Sequence, residues 1–378
     1  MISLSKMVKG KATVSREITY DRSDEHIPRR LRELKESFRP VVVWNLTAKC
    51  NLKCVHCYAH ANQREELDTE TAVRVVKELN ELAVLVLFSG GEPLLRKDLF
   101  EIARYCKVIK ALSTNGTLID NNTAEMLKNA GFSYVGISLD GLKDVHDRFR
   151  GVDGAFERAV EGLKSVKSAG ILSGVRFTLT KFNSEEVEGV LDLCEDLGVE
   201  RFCMYHLVPS GRADFSIDVP NDVRRNVIDY LFERAFEFDG EILTVDNPCD
   251  GVYFCLKLRE IDEDLAFKAY EFLKYRGGDR SGRNLVNIDP FGEVHPNQFW
   301  WDYSCGNVKE RNFKDIWFND PLLNELRGKW ILKGRCGRCA YKSVCGGFRL
   351  RAMRAGDLWG EDPSCYLKDD EIAKNVFE

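Results

Sequence analysis

From Val41 onward, six apolar runs alternate with amphipathic stretches, and this alternation limits the possible folds more than any other feature. The runs cover 41–47, 84–89, 108–113, 134–139, 174–180 and 201–208. Between them lie 69–82, 97–106, 120–130, 154–169 and 184–197. In the first stretch Val73, Val76, Leu79 and Leu82 recur at helical spacing. Strands separated by helices pair in parallel through right-handed crossovers. Six strands fall short of the eight that close a full barrel. The pattern therefore predicts an α/β fold, a partial (β/α)6 TIM-like barrel.

With 378 residues, the chain is long enough for a large core and an appendage. The alternation reads as ending at Pro209-Ser-Gly211, with helices following near 220–238 and 262–275. The run 285–300, broken at Asp289-Pro-Phe-Gly292, reads as a hairpin. Four parts are expected. They are an N-terminal extension over 1–39, the barrel over 40–240, a linking region over 241–283, and a cysteine-bearing domain over 284–378. The extension carries Arg29, Arg30, Arg32 and Lys35 on a short helix.

A net charge of −5 argues against general nucleic-acid binding. No stretch approaches the roughly 18 apolar residues of a membrane span. Lys6, Lys9, Lys11 and Arg16 precede no apolar segment of the export type, so a cytoplasmic protein is expected.

Thirteen cysteines without an export signal point to metal rather than disulfides, and seven of them lie in short clusters. The first cluster is Cys50-Asn-Leu-Lys-Cys54-Val-His-Cys57, at the C-terminal end of strand one, where barrel enzymes place their chemistry. Three thiolates hold three corners of a [4Fe–4S] cube and leave one iron open. The alternative is a zinc site completed by His60. The second cluster is Cys336, Cys339 and Cys345, with Cys365 further on. Four thiolates suit a fully ligated cube, and equally a zinc ribbon. Cys305 is a possible stray ligand. Cys249 and Cys255 flank a tyrosine-bearing loop, and Cys106, Cys194 and Cys203 read as buried and inert.

The CxxxCxxC motif followed by Tyr58 resembles the radical S-adenosylmethionine (SAM) superfamily. Ser89-Gly90-Gly91-Glu92-Pro93, one βα unit later, resembles that family's motif for the SAM amino group. The resemblance implies that Gly90, Gly91, Glu92, Asn115, Ser138, Asp140 and Arg176 contact SAM. Taken alone, the Asn-Gly and Asp-Gly pairs at 115–116 and 140–141 are ordinary turn chemistry. The resemblance also implies a one-electron cleavage of SAM, fed by a ferredoxin- or flavodoxin-type donor, whose radical takes hydrogen from the substrate. A low-oxygen setting follows.

The C-terminal cluster resembles the SPASM-type extension of these enzymes, which often holds two auxiliary clusters. This chain has Arg349 and Pro296-Asn297 where that pattern has cysteines, so one auxiliary cluster is expected, and two [4Fe–4S] clusters in all.

Three segments resemble the tetrapyrrole-modifying subgroup. They are 41–47 running into the triad, Gly292-Glu-Val-His-Pro-Asn-Gln-Phe-Trp300, and Lys333-Gly-Arg-Cys-Gly-Arg-Cys339 with Cys345-Gly-Gly-Phe-Arg-Leu-Arg-Ala352. The resemblance implies removal of acetate side chains, to methyl, from 12,18-didecarboxysiroheme, giving iron-coproporphyrin III. Three other reactions stay open: propionate removal toward haem d1, iron-coproporphyrin decarboxylation, and SPASM-type peptide maturation. A flat macrocycle ringed with carboxylates wants aromatic walls and forked guanidinium groups. Arg335, Arg338, Arg349, Arg351 and Arg354 are the arginines considered for it, and Trp300 and Trp301 could stack on it. His295, His206 or His60 is expected to ligate its iron. A lone histidine is more often hydrogen-bonded, and arginine runs are usually solvated faces.

Overall fold

The computed structural model describes residues 1–9, 39–59, 64–276, 278–328 and 331–378. His60 and the helix expected around Arg29 to Lys35 lie outside these residues. Eleven strands form one sheet: β1 (Ile2–Ser3), β2 (Val41–Asn45), β3 (Leu85–Ser89), β4 (Ile109–Thr114), β5 (Tyr134–Ser138), β6 (Leu172–Leu179), β7 (Arg201–His206), β8 (Glu241–Val245), β9 (Leu285–Ile288), β10 (Glu293–His295) and β11 (Gly306–Asn307). Their order is β1-β8-β7-β6-β5-β4-β3-β2-β9-β10-β11. Neighbours from β8 through β2 to β9 run parallel. The short β1, β10 and β11 pair antiparallel. No helix among the described residues is long and apolar enough to cross a membrane.

The six strands read from the sequence are all present, as β2 to β7, and so are the five helices between them. Helix Thr69–Leu82 shows why. Asp68 caps it by accepting from the Thr71 amide, and Ala72, Val75, Val76, Leu79 and Leu82 are buried on one face. Each large apolar side chain so buried contributes roughly 1.5–3 kcal/mol. Along the strands, Val42, Trp44, Val86, Phe88, Val135 and Ile137 face the helices. Alternate residues such as Leu85, Ala111, Tyr134, Tyr205 and Leu243 face the lumen.

The alternation does not end at Gly211. Helix Asn221–Glu237 leads into β8, which lies parallel to β7. A charged first residue disguises β8 in the sequence, because Glu241 is buried and ion-paired with Arg201 at 2.7 Å. The segment from Cys249 is a helix, Cys249–Arg259, rather than a loop. Gly251 lets it pack closely, since a Cβ there would meet Leu273 at 2.7 Å. The predicted hairpin is present as β9 and β10.

Candidate active site

The loop after β2 carries Cys50, Cys54 and Cys57, and all three line one large cavity at the C-terminal ends of the parallel strands. Two clamps fix the loop. The Lys53 and Val55 amides donate to the carbonyls of Arg150 and Phe149, at 2.9 and 3.0 Å. Beneath it runs the Gly90-Gly91 turn, whose Gly91 amide donates to Thr47 at 2.7 Å. A Cβ at Gly91 would lie 2.3 Å from the Lys49 carbonyl oxygen, so only glycine fits. Arg150 Nη1 sits 3.5 Å from Cys54 Sγ. Burial pushes the Cys50 thiol up to about 11 and also raises Cys57.

Tyr58, Gly90, Gly91, Asn115, Ser138 and Arg176 share this cavity with the three thiols. Asn115 Nδ2 donates to Asn51 Oδ1 at 2.9 Å and lies 4.0 Å from Cys50 Sγ. Tyr58 meets Phe299 edge-on, with ring centroids 5.0 Å apart.

Two residues expected to touch SAM are placed elsewhere. Glu92 is fully buried and faces β4. It accepts from Thr114 Oγ1 at 2.8 Å and from the amides of Asn115 and Leu94, at 2.8 and 3.1 Å. Its carboxyl is pushed up to about 7 by burial, opposed by these hydrogen bonds. Asp140 is also fully buried. It is ion-paired with Arg150 and accepts from the Thr178 amide at 2.6 Å. Glu92 ties the Gly-Gly turn to β4, and Asp140 sets the guanidinium beside Cys54.

The residues expected to receive the macrocycle are spent on protein contacts. Both ring nitrogens of His206 are used, Nε2 on Asp250 at 2.7 Å and Nδ1 on Arg224 at 2.8 Å. His295 ends β10, off the cavity, with Nδ1 2.7 Å from the Tyr303 carbonyl oxygen and its ring stacked on Trp301; its Nε2 is buried without a hydrogen bond among the described residues, 3.6 Å from Asp289. Arg349 donates to the carbonyls of Leu358 and Gly360, both at 3.0 Å, and places Nη2 3.8 Å from Cys336 Sγ. Arg351 donates to Asp362 at 2.8 Å and to the carbonyls of Leu207 and Asp246, at 3.0 and 2.6 Å. Arg335 pairs with Asp369, and Arg354 with Asp302. Arg349 and Arg351 therefore brace the C-terminal domain from within, while Arg338 and Arg354 are exposed, and none of the five lines the cavity.

A second, smaller void of about 370 Å³ is walled by Cys336, Cys339, Cys345 and Cys365. Cys249 joins them there. Its thiol donates to Asn247 Oδ1 at 3.5 Å, and its closeness to Cys365 holds the Cys365 thiol below its ordinary value. Cys305 lies apart, hydrogen-bonded to Asp320. Among the described residues, no three His, Cys, Asp or Glu side chains gather as a single metal ion would require.

Other site residues gave little signal in the sequence. Arg150 lies on helix Lys143–Arg150, which the periodicity missed. Cys203, read as inert core, faces the lumen of the cavity, as do Tyr134 and Asp246. Counting its open mouth, the cavity encloses about 2530 Å³.

Two family descriptions match the chain: the radical SAM superfamily over residues 44–194, and the SPASM iron–sulfur cluster-binding domain over 280–340. Fe-coproporphyrin III synthase of Methanosarcina barkeri is 41% identical over 98% of this chain and 99% of its own length. The chain belongs to the radical SAM superfamily. Pre-heme d1 synthase of Dinoroseobacter shibae is 43% identical over 87% of this chain and 86% of its own. AdoMet-dependent heme synthase of M. barkeri is 34% identical over 87% and 96%. The crystal structure of Streptococcus suis SuiB with its precursor peptide SuiA shares the fold. Its TM-score is 0.70 at 20% identity, over 92% of this chain and 84% of that one. As a radical SAM protein with a SPASM extension, the chain takes SAM with a [4Fe–4S] cluster and an auxiliary iron–sulfur cluster.

Proposed function

We propose that this chain removes the acetate side chains of 12,18-didecarboxysiroheme, leaving methyl groups and giving iron-coproporphyrin III. The observation that carries this reading is the 41% identity to Fe-coproporphyrin III synthase across nearly the whole of both chains. The cavity supports it. Tyr58, Tyr134, Tyr205 and Phe299 offer aromatic walls, and the guanidinium groups of Arg176 and Arg212 line it for carboxylates. Arg176 rests 4.4 Å above the Tyr205 ring, a cation–π contact that holds it in the lumen.

In this reading Cys50, Cys54 and Cys57 hold the SAM-binding cluster, and Cys336, Cys339, Cys345 and Cys365 hold the auxiliary one. Tyr58, Gly90, Gly91, Asn115, Ser138 and Arg176 receive SAM, while Glu92 and Asp140 keep those residues in place. When bound, the cluster and SAM supply one-electron chemistry that ends in hydrogen abstraction from the substrate. The protein positions the groups and excludes water. A ferredoxin- or flavodoxin-type donor and a cytoplasmic, low-oxygen setting complete the proposal. The 43% identity to pre-heme d1 synthase favours a second reading, propionate removal on the path to haem d1.

The test is anaerobic incubation of the reconstituted protein with SAM, dithionite and didecarboxysiroheme, followed by mass analysis of the macrocycle. The expected product has lost both acetates. An unchanged macrocycle beside 5′-deoxyadenosine formation sinks the substrate assignment, and absence of 5′-deoxyadenosine sinks the enzyme reading.

A further inference from the structure

Among the described residues one non-glycine backbone adopts positive φ: Asp246, at 67°. It directly follows β8, on the C-terminal side of the sheet where the three thiols lie. Aspartate is one of the few non-glycine residues that adopt it, usually with local contacts to hold it. Arg351 Nη2 grips the Asp246 carbonyl at 2.6 Å, and the next side chain, Asn247, donates to Asp250 Oδ1 at 3.2 Å and to the Ser364 carbonyl at 3.3 Å. Asp246 lines the cavity.

That carboxyl is incomplete. Its Oδ2 is buried and has no hydrogen-bond partner. A buried oxygen left unmatched costs stability, and in a cavity it marks the place of a ligand group. Its charged and titratable surroundings come from five elements. Arg351 approaches from the C-terminal domain, Arg176 from β6, Tyr205 from β7, the chain's amino group from before β1, and Asp279 from the loop before β9. Burial, with Asp279 adding to it, pushes the Asp246 carboxyl up to about 7 against the three cations. It therefore carries a proton through much of the neutral range.

We propose that Asp246 contacts the substrate directly, taking one carboxylate-bearing side chain of the tetrapyrrole through a shared proton. This assignment rests on the functional reading above and adds to it the residue that reads a side chain. A protonated carboxyl donates to a carboxylate, whereas an ionised one repels it. Binding should therefore weaken as pH rises through the Asp246 transition.

The experiment titrates the anaerobic, cluster-loaded protein with iron-coproporphyrin III, which carries carboxylates, and with iron octaethylporphyrin, which carries none. Binding is followed by the macrocycle's absorbance. Wild-type affinity for iron-coproporphyrin III should fall about tenfold between about pH 6 and about pH 8. Affinity for the octaethyl analogue should stay flat. Asp246→Asn should abolish the pH slope. Asp246→Gly suits the positive φ and should still lose about tenfold in affinity near pH 6, which assigns the effect to the carboxyl rather than to the backbone. An Asp246→Asn protein with wild-type affinity and slope overturns the assignment and leaves the tetrapyrrole reading standing. A wild-type protein that binds neither porphyrin overturns both.

Discussion

The two cysteine clusters are built in opposite ways. At the barrel mouth, three thiols sit on a loop at the edge of a wide cavity, with Cys50 exposed and Cys54 buried against Arg150. Where the C-terminal domain meets helix Cys249–Arg259, five thiols line a pocket of about 370 Å³ counting its open mouth, with the Arg349 guanidinium against Cys336 and Cys249 against Cys365. The first arrangement leaves one face of its metal group open to a ligand. The second would surround an iron–sulfur group with sulfur and a guanidinium donor. The contrast teaches that openness here is set by how many thiols converge and by how much of their neighbourhood is cavity.

The comparison breaks most sharply at Cys54. Cys54→Ala should reduce 5′-deoxyadenosine formation to background, because two thiolates hold a cube poorly. Retained cleavage would falsify the three-thiol site. Next in size, Cys339→Ala should lower iron content by roughly half while some uncoupled SAM cleavage persists. Iron equal to the parent's would argue against a separate auxiliary group.

Arg150→Met removes the partner of buried Asp140 and the cation beside Cys54. Urea unfolding of the loaded protein should show a loss of roughly 3–5 kcal/mol, and an unchanged midpoint would contradict the buried pair. Glu92 gives a pH test. Its folded pKa of about 7 lies above its ordinary value of 4.5, so the native state holds the proton more tightly than the unfolded chain. Its contribution is full below the ordinary value and is lost as pH rises toward neutrality, by about 3 kcal/mol at most. Glu92→Gln should flatten that part of the stability profile; a slope identical to wild type would mean the carboxyl is not the source. The smallest expected effect is at Cys249. Cys249→Ala should leave iron and sulfide unchanged, whereas a fall to the Cys339→Ala level would make Cys249 a ligand.

Much of this was legible because period and spacing are local properties. The six strands, the intervening helices, the hairpin and both cysteine clusters follow from residues close together in sequence. β8 was hidden because Glu241 heads it and finds its partner, Arg201, forty residues away. Cys249 was passed over because its neighbour Cys365 lies 116 residues on, and no spacing rule reaches that far. The roles expected for His206, His295, Arg349 and Arg351 failed for a related reason. Residue type suggested ligand binding, but most of these side chains' polar groups meet carboxylates, backbone carbonyls or, for His206, the Arg224 guanidinium, which only the fold brings near; His295 Nε2 alone is left without a hydrogen bond among the described residues. Asp246 gave no signal at all, since its conformation is held from the C-terminal domain.

Arg351 carries a consequence of its own. One side chain grips Asp362 in the C-terminal domain and the carbonyls just beyond β7 and β8, with no exposed surface. Swinging the domains apart would strip the two barrel carbonyls from a buried guanidinium, which opposes hinge motion at this joint. The spacing of the two cysteine-lined pockets is thereby tied to a single buried side chain.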